Sequence, residues 1–263
     1  MIKTEKIWHD LHCSVCSITF SAKGVRLSSG TGFKLLSYLI TNNHVIQVPG
    51  AEEVTIRFVD DDGHRIKTEK TISYLSFMSR LQDGDPESQW DYAILSLDDN
   101  EFTAIPPLTL AHEPPLPIGA KIALLGFHFD QTNLSIHSGI LSSKFFQNGV
   151  NYLQIDASVN QGNSGGPLID PETLQVIGIV TRKLTGLTKQ FNDLIKSFDE
   201  FLRTLEKASQ FGSGEIMGVD VLGGFSLTQT QLKRVSLELH RSANVGVGFA
   251  YELTKLKASH LLR

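Results

Sequence analysis

Short apolar runs, broken at regular intervals by turn residues, are what most narrows how this chain can fold. In VTIRFV, Val54, Ile56 and Phe58 alternate with Thr55 and Arg57, so an extended segment there has one apolar and one polar face, and DDDG then reverses the chain. The same signature recurs in SITF, LLSYLI, YAILSL, KIALLGF, YLQIDA, VIGIVT and VGVGFAY. This pattern predicts an all-β protein, a barrel or a sandwich. Between the strand candidates, residues 105–119 (IPPLTLAHEPPLPIG) hold five prolines. Proline cannot donate to a ladder or continue a helix, so this stretch reads as an extended connector that splits the β region into two halves.

One segment has a different period. Leu187, Phe191, Leu194, Phe198, Phe201 and Leu205 are spaced by fours and threes with charges between them, which predicts an amphipathic helix over 187–207. Leu232, Val235 and Leu239 predict a second, shorter helix over 228–241, with the glycine-rich FGSGEIMGVDVLGG joining the two. A terminal helix from Glu252 follows. The expected organisation is an N-terminal β unit over 1–104, the connector 105–119, a second β unit over 120–182 and 243–263, and a helical insertion over 183–242.

A formal net charge of −4 over 263 residues, with no Lys/Arg block at either end, gives no long-range attraction for nucleic acid or an anionic membrane. Neither is expected as a partner. The N-terminus carries charges where a signal peptide needs an apolar run, and no segment has the length and apolarity of a membrane span, so the expected compartment is cytoplasmic. Cys13 and Cys16 are the two cysteines. CSVC has half the spacing of a zinc site, but no second Cys/His pair completes it, and the thiols read as reduced core groups. No metal and no cofactor is expected.

The segment QGNSGGPL (161–168) concentrates chemistry. Glycines on both sides of Ser164 allow a tight, positive-φ turn in which a hydroxyl and several N–H groups converge on one point. A serine hydroxyl is a weak nucleophile unless a base lies within hydrogen-bond reach and a third group orients that base. Among nine histidines, His9, His12, His64, His112, His240 and His260 lie in polar or terminal contexts, and His128 and His137 read as surface residues of strands. His44 differs, because it stands where the apolar strand of YLITNNHVI ends. Asp91, in QWDYAIL, stands at the entrance to another apolar strand, where a carboxylate can be partly buried and still reach across a cleft.

TNNHVI, DYAIL and QGNSGGPL, in that order, resemble the signatures of trypsin-like serine peptidases of the HtrA/Deg branch; weaker echoes are SGTGF, LLGF, SGILS, DASVN and NVGVGFAYEL. The resemblance covers roughly residues 10–182 and 243–255. It implies two perpendicular six-stranded antiparallel β-barrels of the chymotrypsin fold, with the α-helical insertion in the second. By the same resemblance Ser164 is the nucleophile, His44 the general base, and Asp91 the group that orients His44. The oxyanion turn is Gly162–Asn163–Ser164, with the amides of Gly162 and Ser164 as donors. Thr181 falls where a hydroxyl supports the triad aspartate. The substrate pocket maps to Ser158, Val159, Ile179, Val180, Thr181 and Arg182, which include no acid at the base, so a small or medium apolar residue is expected before the scissile bond. Asn163 cannot form the ion pair by which zymogen-type relatives are activated.

The chain departs from that pattern in three places. SRLQDGDPESQ (79–89) lengthens the interval from His44 to Asp91 and is expected to form an extra loop at the cleft edge. The peptide-binding PDZ module of many HtrA relatives is not expected in this sequence. The helices interrupt the second barrel where the pocket-forming loop of the family runs, which makes them the expected place for a regulatory partner. The expectation is a monomeric cytoplasmic serine endopeptidase acting on protein or peptide substrates. Its alternative is a trypsin-like fold used as a non-catalytic scaffold through its helical insertion.

Overall fold

In the computed structural model, which describes residues 3–112, 116–128, 131–181, 186–210, 214–216, 219–242 and 246–262, the alternating segments pair into two antiparallel sheets. The first holds β1 (Val15–Ala22), β2 (Val25–Leu35), β3 (Tyr38–Thr41), β4 (Glu53–Val59), β5 (Ile66–Ser73), β6 (Leu81–Asp85) and β7 (Tyr92–Ser96), in the order β5-β4-β1-β2-β3-β7-β6. The second holds β8 (Lys121–Phe127), β9 (Leu134–Gln147), β10 (Val150–Asp156), β11 (Pro167–Ile169) and β12 (Val176–Thr181). A two-stranded hairpin, β13 (Glu215–Ile216) and β14 (Val219–Asp220), comes next in the chain. The last strand, β15 (Val247–Glu252), then closes the second sheet into a barrel in the order β10-β15-β12-β11-β8-β9.

The second half is therefore the six-stranded barrel expected. The first half has a seventh strand, because residues 81–85 of the expected loop pair with β7, Gly84 opposite Ala93 and Asp85 opposite Tyr92. A Cβ at Gly84 would lie 2.7 Å from the Tyr92 carbonyl, so the glycine lets this edge strand approach.

By its internal contacts the chain divides into two units, Met1–Lys183 with Gly246–Arg263, and Leu184–Val245. The second unit consists of α4 (Gly186–Ser209), the β13–β14 hairpin and α5 (Val221–Ser242). Lys233 on α5 is ion-paired with Asp199 on α4 at 2.5 Å. Helix α5 is longer than its apolar spacing predicts and takes in Gly223 and Gly224, assigned from sequence to the connector. Asp220 accounts for the early start, since its carboxylate accepts the Gly223 amide at 2.8 Å and caps the helix.

In the first unit three shorter helices, α1 (Lys3–Leu11), α2 (Asn43–Ile46) and α3 (Tyr74–Met78), precede the barrel, and α6 (Thr254–Ala258) follows it. The largest core cluster joins the two sheets: Phe33, Ile40 and Ile94 of the first meet Ala123, Leu125, Ile169 and Ile179 of the second. Ile7 of α1 and Leu256 of α6 complete it. The proline-rich connector runs alongside, bridged at Leu35 to Leu108 and at Leu110 to Val176, and the buried Lys34 ammonium donates to the Phe102 and Ile105 carbonyls at 2.8 Å each. No helix among the described residues is long and apolar enough to cross a membrane. Cys13 and Cys16 are free thiols, Cys16 fully buried.

Phe33 is fully buried in the cluster that joins the sheets, whereas Phe146 is 70% exposed. Phe33→Ala is expected to lower the free energy of unfolding by about 3–5 kcal/mol and Phe146→Ala by less than about 0.5 kcal/mol, measured by urea denaturation.

Candidate active site

His44 lies in the single turn of α2 that follows β3, and Asp91 lies immediately before β7, the strand paired with β3. That pairing brings two residues 47 positions apart together. The Asp91 carboxylate accepts the backbone N–H of His44 at 2.9 Å and the ring Nδ1–H at 2.6 Å. Asp91 is fully buried and the His44 side chain only 10% exposed, so the pair is shielded from water and each partner is costly to remove. With its Nδ1–H committed to the carboxylate, the ring keeps a lone pair on Nε2.

Asp91 has a positive φ of 42°, a conformation that costs energy for any residue with a Cβ. The neighbouring chain holds it there. Asn42 donates from Nδ2 to the Asp91 carbonyl at 2.8 Å, and the Asp91 amide donates to the Pro86 carbonyl at 3.2 Å.

The serine turn is anchored from both sheets. Thr31 N–H donates to the Ser164 carbonyl at 2.9 Å, and the Gly165 amide donates to the Val180 carbonyl at 2.8 Å. Gly165 has φ +86°, and a Cβ there would stand 2.1 Å from both the Thr31 carbonyl and Thr41 Oγ1 and 3.1 Å from the Asn42 amide. The backbone after Ser164 is thus pressed against the segment that leads into His44. The Ser164 hydroxyl makes no hydrogen bond among the described residues; such bonds are often long in an unliganded site and tighten when substrate binds.

The amides of the turn divide into two sets. Asn163 N–H donates to Asn160, Gly165 N–H to Val180 and Gly166 N–H to Asn163. The amides of Gly162 and Ser164 have no acceptor among the described residues. Gly162 has φ +97°, and a Cβ there would lie 2.5 Å from the Phe127 carbonyl, so only glycine fits. The buried Asn163 side chain is taken up locally: its Oδ1 accepts the Asn160 amide at 2.8 Å, and its Nδ2 points at the Phe127 carbonyl at 3.5 Å.

The residues mapped to a pocket are distributed by strand alternation. Val159 and Val180 pack in the barrel core, whereas Ile179 faces the cluster between the sheets. Ser158 is exposed, and Arg182 lies outside the described residues. Thr181 is buried, and no hydrogen bond joins it to Asp91 among the described residues. Burial first, and the Asp91 carboxylate second, push the Tyr251 hydroxyl above its ordinary range, and burial raises Tyr152 beside it. Neither tyrosine was singled out by sequence, because each is one more apolar position in a strand. Thr31 sat inside the quoted SGTGF with no signal of its own.

His128 and His137, read as surface residues, are half-buried with ring centroids 5.5 Å apart, because the β8–β9 hairpin pairs Phe127 with Leu134 and draws the strand ends together. His12 is also buried, its Nδ1 hydrogen-bonded to the Trp8 carbonyl at 2.6 Å. Among the described residues no group of three or more His, Cys, Asp or Glu side chains is placed to hold a metal ion.

Residues 22–179, more than half of the chain, match the family described as Trypsin-like peptidase domain. A probable periplasmic serine endoprotease DegP-like of Hahella chejuensis is 34% identical over 160 residues, 58% of this chain and 29% of that protein. Serine protease HTRA3 of Homo sapiens is 29% identical over 178 residues, 62% of this chain and 35% of that protein. The chain thus spans about a third of the length of these relatives. Among solved structures, the HtrA-type protease AlgW with tripeptide superposes with a TM-score of 0.58 at 22% identity, over 96% of this chain and 60% of that one, a likeness of fold. The active form of the Rv3671c protease from M. tuberculosis gives 0.52 at 26% identity, over 69% and 75%.

Gly165→Ala is expected to destabilise the protein by about 2–4 kcal/mol, through the positive φ and the clash with the Thr31 carbonyl, measured as a shift in denaturation midpoint.

Proposed function

Because the chain belongs to the trypsin-like peptidase family, we propose that it is a serine endopeptidase in which His44, Asp91 and Ser164 form the catalytic triad. The observation that carries this reading is the buried, doubly hydrogen-bonded His44–Asp91 pair set beside a serine turn whose Gly162 and Ser164 amides have no acceptor among the described residues. Ser164 Oγ attacks the scissile carbonyl while His44 Nε2 takes its proton, and Asp91 stabilises the imidazolium that forms. The tetrahedral oxyanion is received by the Gly162 and Ser164 amides, donors that need no reorganisation as charge develops. His44 then protonates the leaving amine, and water repeats the sequence on the acyl-enzyme.

In this reading the substrate preference follows from the residues mapped to the pocket, none of which is an acid. Val159 packs in the barrel core against Gly248 and backs the wall where the pocket is mapped. With the neutral Ser158 next to it, that wall suits a small or medium apolar side chain and offers a cation no partner. The unbridged Cys13 and Cys16 accord with a reducing, cytoplasmic compartment.

A fluorophosphonate probe tests the chemistry: covalent labelling is expected in the wild type and absent in Ser164→Ala and His44→Ala. Asp91→Asn is expected to retain the fold and lose about 10⁴-fold in kcat by mispositioning the ring tautomer. A folded wild type that never labels would favour a scaffold. On a peptide series differing only before the scissile bond, kcat/KM for alanine or valine is expected to exceed that for arginine by about 10²-fold or more; the reverse order sinks the pocket assignment.

A further inference from the structure

Thr31 is fully buried in β2, and each of its polar groups is engaged with a segment of the site. Its hydroxyl donates to the Gly162 carbonyl at 2.6 Å and accepts the Phe127 amide at 3.0 Å. Its N–H donates to the Ser164 carbonyl at 2.9 Å, and its own carbonyl accepts from Thr41 Oγ1 at 2.7 Å. Thr41 is the last residue of β3, three positions before His44. One residue therefore connects the serine turn and the end of β8, through its hydroxyl, with the strand that leads to the histidine, through its carbonyl.

These bonds bear on the direction of two amides. The peptide joining Gly162 to Asn163 is held at its carbonyl by the Thr31 hydroxyl and at its N–H by the Asn160 carbonyl. The peptide joining Ser164 to Gly165 is held at its carbonyl by the Thr31 amide and at its N–H by the Val180 carbonyl. Between them, the peptide that presents Ser164 N–H is held at the Asn163 carbonyl by Gly166. The peptide that presents Gly162 N–H is different. No hydrogen bond holds that N–H among the described residues, and it adjoins a glycine, the residue least able to resist rotation. The nearest anchor on its C-terminal side is the Gly162 carbonyl, held by the Thr31 hydroxyl.

We propose that Thr31 is a positioning residue of the oxyanion turn: its hydroxyl, clamped between the Gly162 carbonyl and the Phe127 amide, sets the direction of the Gly162 N–H. This rests on the peptidase reading above. The sheet that carries His44 thereby also holds the groups that receive the oxyanion, so base and oxyanion site move as one body. A hydroxyl is required because it must donate on one side and accept on the other. Valine has the shape of threonine and can do neither.

The experiment compares wild type, Thr31→Val, Thr31→Ser and Ser164→Ala, each checked for fold by circular dichroism and melting. The readouts are kcat and KM on a fluorogenic peptide with valine before the scissile bond, and the inhibition constant of a peptidyl trifluoromethyl ketone whose hemiketal oxygen mimics the oxyanion. Thr31→Val is expected to lose about 10²-fold in kcat and a similar factor in affinity for the ketone, the scale of one oxyanion donor, with KM within about threefold. Thr31→Ser, which keeps the hydroxyl and loses only a methyl, is expected to recover most of both. The proposal is overturned by a folded Thr31→Val with unchanged kcat, by a Thr31→Ser as slow as Thr31→Val, or by losses that fall on KM alone. Should Thr31→Val not fold, Thr31→Ala against Thr31→Ser on the same readouts decides it by the same criteria. A wild type no more active than Ser164→Ala overturns the peptidase reading itself, whereas an active wild type with an indifferent Thr31→Val overturns only the role of Thr31.

Discussion

The contact on which the rest of the site depends is the approach of the serine turn to the first sheet. At Gly165 the backbone comes so close to the Thr31 carbonyl and Thr41 Oγ1 that no side chain fits, and the Thr31 amide bonds the Ser164 carbonyl across the gap. Without that approach, the turn carried by the barrel and the histidine carried by the other sheet would be features of two separate surfaces. Both sheets are needed to hold it. The core cluster of Phe33, Ile40, Ile94, Ala123, Leu125 and Ile179 supplies the apolar burial that presses them together, and the buried threonines supply the hydrogen bonds that fix their register.

Electrostatics sharpen what packing brings together. A fully buried carboxylate is tolerated only when its oxygens are used, and both oxygens of Asp91 accept from His44. Holding the carboxylate there requires a positive φ at Asp91, which Asn42 and Pro86 secure through the backbone. The strain and the hydrogen bonds form one arrangement, in which a costly local conformation is stabilised by the partners it makes available. Beside it the rings of Tyr152 and Tyr251 meet with centroids 5.2 Å apart, and the Asp91 carboxylate helps hold the Tyr251 hydroxyl above its ordinary range.

Where local rules were sufficient, elements could be read directly. The alternation in VTIRFV became β4, and the four-and-three spacing of Leu187 to Leu205 became α4. Elements settled by competition between segments were not legible. Residues 81–85 carry no strand pattern of their own and became an edge strand because β7 offered an open row of hydrogen-bonding groups. Helix α5 starts at Val221 because one carboxylate, Asp220, outweighs two glycines. His128 and His137 looked like exposed strand residues, and a hairpin drew them together.

The sequence alone determined the chemistry that is local: glycines where a backbone must turn or pass closely, an imidazole and a carboxylate at the ends of apolar strands, and the period that separates helix from sheet. Motif order carried the family. Only the tertiary structure decided which groups face one another, that the rings of Tyr152 and Tyr251 meet, that Ile179 points away from Val159 and Val180, and that Thr31 lies beneath the serine turn. The reason is physical. Backbone preferences and periodicity act over a few neighbouring residues, whereas a hydrogen bond between residues 131 positions apart, such as Thr31 to Gly162, exists only after two sheets have packed and chosen their register.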